Sequence, residues 1–173
     1  LSFVEIGATM TVFFVVSAVG QAMAGFGVDR FGALRILLAG ISCFVLAGLG
    51  LAMATSSSAL YAVAALAGLG NTVFHPADFT VLNRHVSPPR LGHAFSVHGL
   101  SGNLGWAAAP LFLTGLATLV GWRVAAASTI FVAIPAMLLL WHNRALLDTG
   151  HHAHAAKQSG HGTFDFMRVG AVW

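Results

Sequence analysis

The sequence predicts an all-α, polytopic transmembrane helix bundle, and three observations carry that prediction. Charged residues make up 8% of the 173-residue chain, against about 25% in a soluble domain, so charge is too scarce to cover a water-facing surface. Mean hydropathy is +0.83 and 57% of residues are hydrophobic. The apolar residues also gather in five runs, each near the roughly 20 residues a helix needs to cross a bilayer. Backbone groups in lipid must find partners within their own segment, which makes each run a helix. The strand-like alternation of an outer-membrane barrel is absent.

The spans are expected at 6–26, 34–54, 59–82, 93–119 and 124–141. The breaks between them are ordinary turns. Thr55-Ser56-Ser57-Ser58 is short and polar. Ser87-Pro88-Pro89 stops a helix, because proline lacks an N–H and restricts the residue before it. Gly121-Trp122 is a tight connection with an aromatic ring at the membrane interface. Residues 1–143 thus form a five-helix bundle. Residues 144–173 change character: "DTGHHAHAAKQSGHGTFDF" reads as a polar, His-rich connector, and "MRVGAVW" turns apolar again, as a further span would begin. The chain opens on Leu1 with no signal-peptide pattern, and a piece of a longer protein is expected.

Alternating the five spans across the membrane puts Arg30, Arg35, Arg84, Arg90, Arg144, Lys157 and Arg168 on one side and Arg123 on the other. The positive-inside rule makes the first side, and the tail, cytoplasmic. The pI near 10.0 rests on eight Lys and Arg. Placed at helix ends, they point to the lipid bilayer rather than to nucleic acid. Cys43 is alone, so there is no disulfide framework.

The first cytoplasmic turn, "AGFGVDRFGALR", sets Asp29 and Arg30 between Gly25 and Gly32, with Gly27 inside and Arg35 following. Glycines permit a sharp reversal, and charge at a helix mouth escapes most of the cost of insertion. By physics alone this is a charged turn that fixes topology. The spacing Gly25-x-x-x-Asp29-Arg30-x-Gly32 resembles the loop signature of the major facilitator superfamily, G-x-L-A-D-R-x-G-R-K. Gly27 stands where that signature has Leu, and Ala33-Leu34 where it has a basic pair. "AGLGNTVFHPADF" and "RLGHAFSVHGLSGNLGWAAAP" resemble helices four and five of the branch containing the fosmidomycin-resistance exporters. The resemblance implies an incomplete N-terminal half of a twelve-helix fold, running from about helix 2 to helix 6 and the central loop. It also implies Asp29, Arg30 and Arg35 as a conformational latch, a bacterial inner-membrane location, and alternating access with a missing C-terminal half. Proton-coupled efflux of a small metabolite or drug follows from it, with no enzyme activity and no cofactor. The family's intramembrane arginine has no counterpart between Leu60 and Leu69.

His75 and Asp78 are the candidate proton or substrate residues. They share a helix face at a spacing of three, and ionisable groups inside a membrane mark proton or substrate routes. Pro76 between them frees a carbonyl and permits a bend; Asp78 pairing with Arg84 or Arg90 is the structural alternative. Gln21 and Asn103 are weaker polar candidates, with Trp106 one turn beyond Asn103. Gly99, Gly102 and Gly105 suit close helix packing, Pro110 a kink, and Pro135 a bend in the last span. Two other classes of function are weighed. One is a non-transporting bundle offering His151, His152, His154 and His161 to a metal or a partner. The other is an intramembrane serine protease using the "GLSG" at residues 99–102, for which the later His142 lies at the wrong depth. No metal site is assigned.

Overall fold

A computed structural model describes residues 2–147. Among the described residues the elements, in order, are α1 (Phe3–Phe31), α2 (Ala33–Met53), α3 (Ser57–Asn71), α4 (Phe74–His85), a 3-10 turn at Pro88–Arg90, α5 (Leu91–Val120), α6 (Trp122–Ala127), α7 (Thr129–His142) and α8 (Arg144–Leu147). Five helical stretches are long and apolar enough to cross a membrane: Phe3–Phe31, Ala33–Met53, Ser57–His85, Pro88–Val120 and Trp122–His142. Four of them reach beyond their apolar runs at both ends, because hydropathy marks the lipid-compatible part while a helix continues until something stops it; the second, Ala33–Met53, is offset from its run by one residue.

What stops each helix is identifiable. Gly32 (φ 85°, ψ 151°) alone separates α1 from α2, and Gly121 (φ 89°, ψ 153°) alone separates α5 from α6. That backbone region is essentially closed to residues with a side chain. At the start of α1, Ser2 and Glu5 form a reciprocal capping box that sets the first turn at Phe3. Ser56 Oγ caps α3 by accepting from the Ala59 N–H at 3.2 Å.

The third span is broken, and Pro76 gives the reason. A proline has no N–H for the carbonyl four residues back, here Thr72, and its ring crowds that carbonyl. The helix accordingly stops at Asn71 and restarts at Phe74. The fifth span departs from expectation. Its break falls at Ser128, whose hydroxyl donates to the Ala125 carbonyl at 2.7 Å, while Thr129 Oγ1 donates to Ala126 at 2.9 Å. Such back-bonding bends helices. The helix runs unbroken through Pro135 in α7 and through Pro110 in α5.

Packing centres on α2, which touches α1, α3, α4, α6 and α7. Small residues make this possible, since lipid offers no hydrophobic drive and helices associate by close backbone approach. Gly40 of α2 and Gly70 of α3 cross so closely that a methyl on either would lie 2.9 Å from the other's carbonyl oxygen. A methyl on Gly68 would lie 2.6 Å from the Phe13 carbonyl oxygen of α1. The buried apolar residues are mostly alanines (Ala33, Ala47, Ala64, Ala77, Ala125), whereas Phe14, Met23, Leu46 and Leu138 point outward, as lipid requires. α5 differs: it meets α4 and, around Gly121, α6, and contains no buried residue.

The two ends of the bundle are distinct. At one, Val28, Ala33, Leu37 and Ala77 form a buried cluster joined by Phe74, Val81 and Leu140, which ties together the ends of α1, α2, α4 and α7. This end carries Arg30, Arg35, Arg84 and Arg144. At the other end, Ser57 Oγ donates to Glu5 Oε1 at 2.5 Å. There too Arg123 reaches the Ala54 carbonyl at 3.4 Å while stacking on Trp122 at 4.2 Å. The alternation inferred from the basic residues is therefore built into the packing of the described residues.

Candidate functional site

Asp29 and Arg30 occupy the last turn of α1 rather than a loop, and both are exposed. The Arg30 guanidinium lies 5.3 Å from the centre of the Phe31 ring. Arg35 is exposed in the first turn of α2. The glycines around them are not equivalent. Gly32 makes the reversal with its positive φ, whereas a methyl on Gly25 would meet nothing within 4 Å. One on Gly27 would make ordinary contact with Ile36, at 3.4 Å. The motif thus presents two charges and a third, Arg35, at the mouth of the bundle.

Deeper in the membrane, the structure brings Asp78 of α4 to His98 of α5, with Oδ2 and Nε2 3.6 Å apart. The Phe79 ring sits beside them, edge-on to Phe95 at 5.2 Å and 6.4 Å from the His98 ring. His75, one turn back, lies 5.6 Å from Phe79 on an exposed part of α4. A second imidazole, that of His75, thus stands on α4 one turn from the Asp78–His98 couple. A carboxylate at this depth is costly without a partner, and a histidine is the partner whose charge a proton can switch.

Reading α4 alone paired Asp78 with His75 and missed His98. A signal for it existed. Positions 78 and 98 lie ten residues before and ten after Pro88, and a helical hairpin folded at that proline brings them to the same depth. At about 1.5 Å per residue this is about 15 Å from the turn.

The other polar candidates are scattered. Gln21 is half-buried on α1. One turn before it, the buried Ser17 accepts a hydrogen bond from Asn71 Nδ2 at 2.7 Å, a link between α1 and α3 that the sequence reading also missed. Asn103 and Trp106 stand exposed on α5, Trp106 at 70%. Methyl groups on Gly99, Gly102 and Gly105 would meet nothing within 4 Å, so these glycines seat no described helix; Gly40, Gly68 and Gly70 do that elsewhere. Ser101 donates its hydroxyl to the His98 main-chain carbonyl at 2.8 Å, not to an imidazole. No cluster of three or more metal-ligating side chains occurs among the described residues. His151, His152, His154 and His161 lie outside them. At the end away from Asp29 a cleft of about 430 Å³ opens between Leu51, Ser56, Leu60, Trp122 and Arg123.

The description "Major Facilitator Superfamily" belongs to the family model that matches residues 1–169 of this chain. The chain belongs to that superfamily. Superfamily membership makes the protein an integral membrane protein of a transporter family. Its relatives include the fosmidomycin resistance protein of Escherichia coli, 38% identical over 64% of this chain and 27% of that protein. A multidrug resistance protein B homolog of Mycobacterium tuberculosis is 31% identical over 66% of this chain and 21% of the relative. A probable 4-methylmuconolactone transporter of Cupriavidus pinatubonensis is 33% identical over 84% of this chain and 34% of the relative. The chain thus spans about a fifth to a third of these relatives. A crystal structure of the peptide transporter POT in complex with sulfate superposes with a TM-score of 0.71 over 97% of this chain and 35% of the transporter, at 21% identity. That likeness speaks for the fold.

Proposed function

We propose that this chain is part of a secondary active transporter that exports a small molecule by alternating access, in the inner membrane of a bacterium. Two halves of such a protein rock around a central site, and the second half is the partner this bundle requires. The observation that carries the reading is the Asp78–His98 couple, a carboxylate and an imidazole 3.6 Å apart between two apolar spans, since ionisable groups inside a membrane mark proton or substrate routes. Efflux is supported by the names of two relatives, which speak of drug resistance.

Protons are the coupling ion in this reading, because Asp78, His98 and His75 bring a carboxylate and two imidazoles near one another between two spans. Asp29, Arg30 and Arg35 act as the latch: exposed and rigidly presented by Gly32, they engage the opposite half in one state and release it in the other. The end carrying them faces the cytoplasm, with the tail after Arg144, in keeping with the basic residues gathered there.

The test uses the longest reading frame that encodes this chain, expressed in a host stripped of its own exporters. Resistance to a panel of small toxic compounds is measured with and without a proton uncoupler. Uncoupler-sensitive resistance that His75→Ala removes, with membrane insertion intact, is the expected result. Resistance indifferent to both the uncoupler and His75→Ala would overturn proton coupling, and no resistance or accumulation change for any compound would count against export.

A further inference from the structure

At the end of the bundle away from Asp29, one cleft joins three helix ends. Its volume of about 430 Å³ lies within the roughly 300–1,000 Å³ common for ligand sites. Leu51 of α2 and Ala54 after it line the cleft with Thr55 and Ser56 of the turn. Ser57 and Leu60 line it from the start of α3, and Trp122 and Arg123 from the start of α6. α2 packs against both α3 and α6, so the cleft is shaped by contacts within this chain and owes nothing to the open face of α5.

The lining has two natures. Leu51, Ala54 and Leu60 are apolar, while the turn brings hydroxyls and α6 a guanidinium. That guanidinium is oriented before any ligand arrives. It lies over the Trp122 ring at 4.2 Å, and one N–H reaches the Ala54 carbonyl at 3.4 Å. Arginine carries five donors in a planar fork that matches phosphate oxygens two at a time. Ser56 Oγ is engaged in capping α3 and lies 3.0 Å from Ser58 Oγ, and Ser57 Oγ donates to Glu5. Glu5 is thus held by Ser2 and Ser57, not by Arg123. Its charge behind Ser57 limits how much negative charge the cleft accepts, because like charges brought together are costly. Depth completes the picture: tryptophan and arginine at the ends of spans sit in the lipid headgroup layer.

We propose that this cleft binds the phosphate diester of a membrane phospholipid. Arg123 and the Thr55 hydroxyl hold the phosphate oxygens, and Leu51 and Leu60 take the start of an acyl chain. A diester carries one negative charge, which one guanidinium matches. A phosphate monoester carries about −1.5 to −2 at pH 7 and meets the opposing charge of Glu5. The site is separate from the Asp78–His98 couple and from the turn at Asp29, and it does not rest on the transport reading.

The test uses the protein from the longest reading frame encoding the chain, purified in detergent and titrated with a short-chain phosphatidylglycerol. Bound lipids are counted by native mass spectrometry, and one is expected to bind more tightly than the rest. Arg123→Gln should weaken that lipid about tenfold, the scale of a lost hydrogen bond to a charged group. Arg123→Lys should weaken it less, since an ammonium keeps the charge and loses the fork. Arg144→Gln removes the arginine that lies over Trp141 at 5.1 Å, at the opposite end, and should leave the tight lipid in place. Diacylglycerol with the same chains, and inorganic phosphate at equal concentration, should each fail to displace it. Equal affinity in the parent and in Arg123→Gln overturns the proposal. Displacement by diacylglycerol would make the cleft a merely apolar groove, and displacement by inorganic phosphate a free-anion site; either result overturns the assignment to lipid, even where an Arg123 variant fails to fold. A protein that holds no tight lipid, its cleft covered by the rest of the polypeptide, overturns it as well.

Discussion

α2 and α5 are both long, apolar and glycine-rich, yet they use glycine in opposite ways. In α2, Gly40 is buried against the Gly70 backbone of α3, and Gly48 is buried against the Ala126 carbonyl of α6. In α5, Gly92, Gly99, Gly102, Gly105 and Gly115 face open space within the described chain. Composition is the same in kind, and the environment decides its meaning. In α2 a missing side chain allows contact between helices. In α5 it leaves a smooth exposed face beside an acid–imidazole pair.

The comparison is broken most sharply by Gly40→Ala. The added methyl would sit 2.9 Å from the Gly70 backbone oxygen of α3, which cannot yield without moving the helix. Forced overpacking costs about 1–3 kcal/mol, and denaturant unfolding of the purified protein in detergent reads that loss. Gly102→Ala on α5 has the opposite sign. With no neighbour to displace, it gains the helix preference of alanine over glycine, about 0.5–1 kcal/mol, and the same unfolding curve shifts towards stability. If both substitutions destabilise alike, the contrast between the two helices is wrong. The smallest expected effect is Asn71→Ala. Breaking its hydrogen bond to Ser17 should cost about 0.6 kcal/mol, the average for polar pairs between membrane helices, and Asn103→Ala on α5 should cost less than that.

Much of the fold was legible in the sequence, because lipid imposes length and apolarity on every span. The five stretches, the turns at Gly32 and Gly121, and the stop at Ser87-Pro88-Pro89 all follow from local chemistry. Helix ends were placed short because Glu5, Asp29 and Arg30 look like loop residues, although charge is tolerated at a helix mouth and only Gly32 ends α1. The break at Thr72 was half legible: Pro76 announces a bend, and the carbonyl four residues back fixes where it falls. Ser128 gave no such warning, since hydroxyls back-bond only where the local turn allows it.

The site was less legible. A spacing of three links His75 to Asp78 on one helix, but pairing across helices depends on register, which no local pattern states. His98 became readable only through its mirror position about Pro88. Likewise, nothing in the spacing of the glycines says which of them faces a neighbour. The turn carrying Asp29 and Arg30 is a middle case: its charges and glycines were visible in the sequence, and what the fold adds is that Gly32 alone supplies the turn while a methyl on Gly25 would meet nothing within 4 Å.

The most direct test of the central claim compares the two helices by water accessibility. Single cysteines replace Gly102 and Asn103 on α5, and Leu37 and Ala47 on α2, in a Cys43→Ala background. Each is exposed to a water-soluble, lipid-excluded thiol reagent in native membranes. The expected result is labelling at both α5 positions and protection at both α2 positions. Protection of Gly102 and Asn103 equal to that of Ala47 would contradict it, and would place the face of α5 against lipid or protein rather than along a water-filled route.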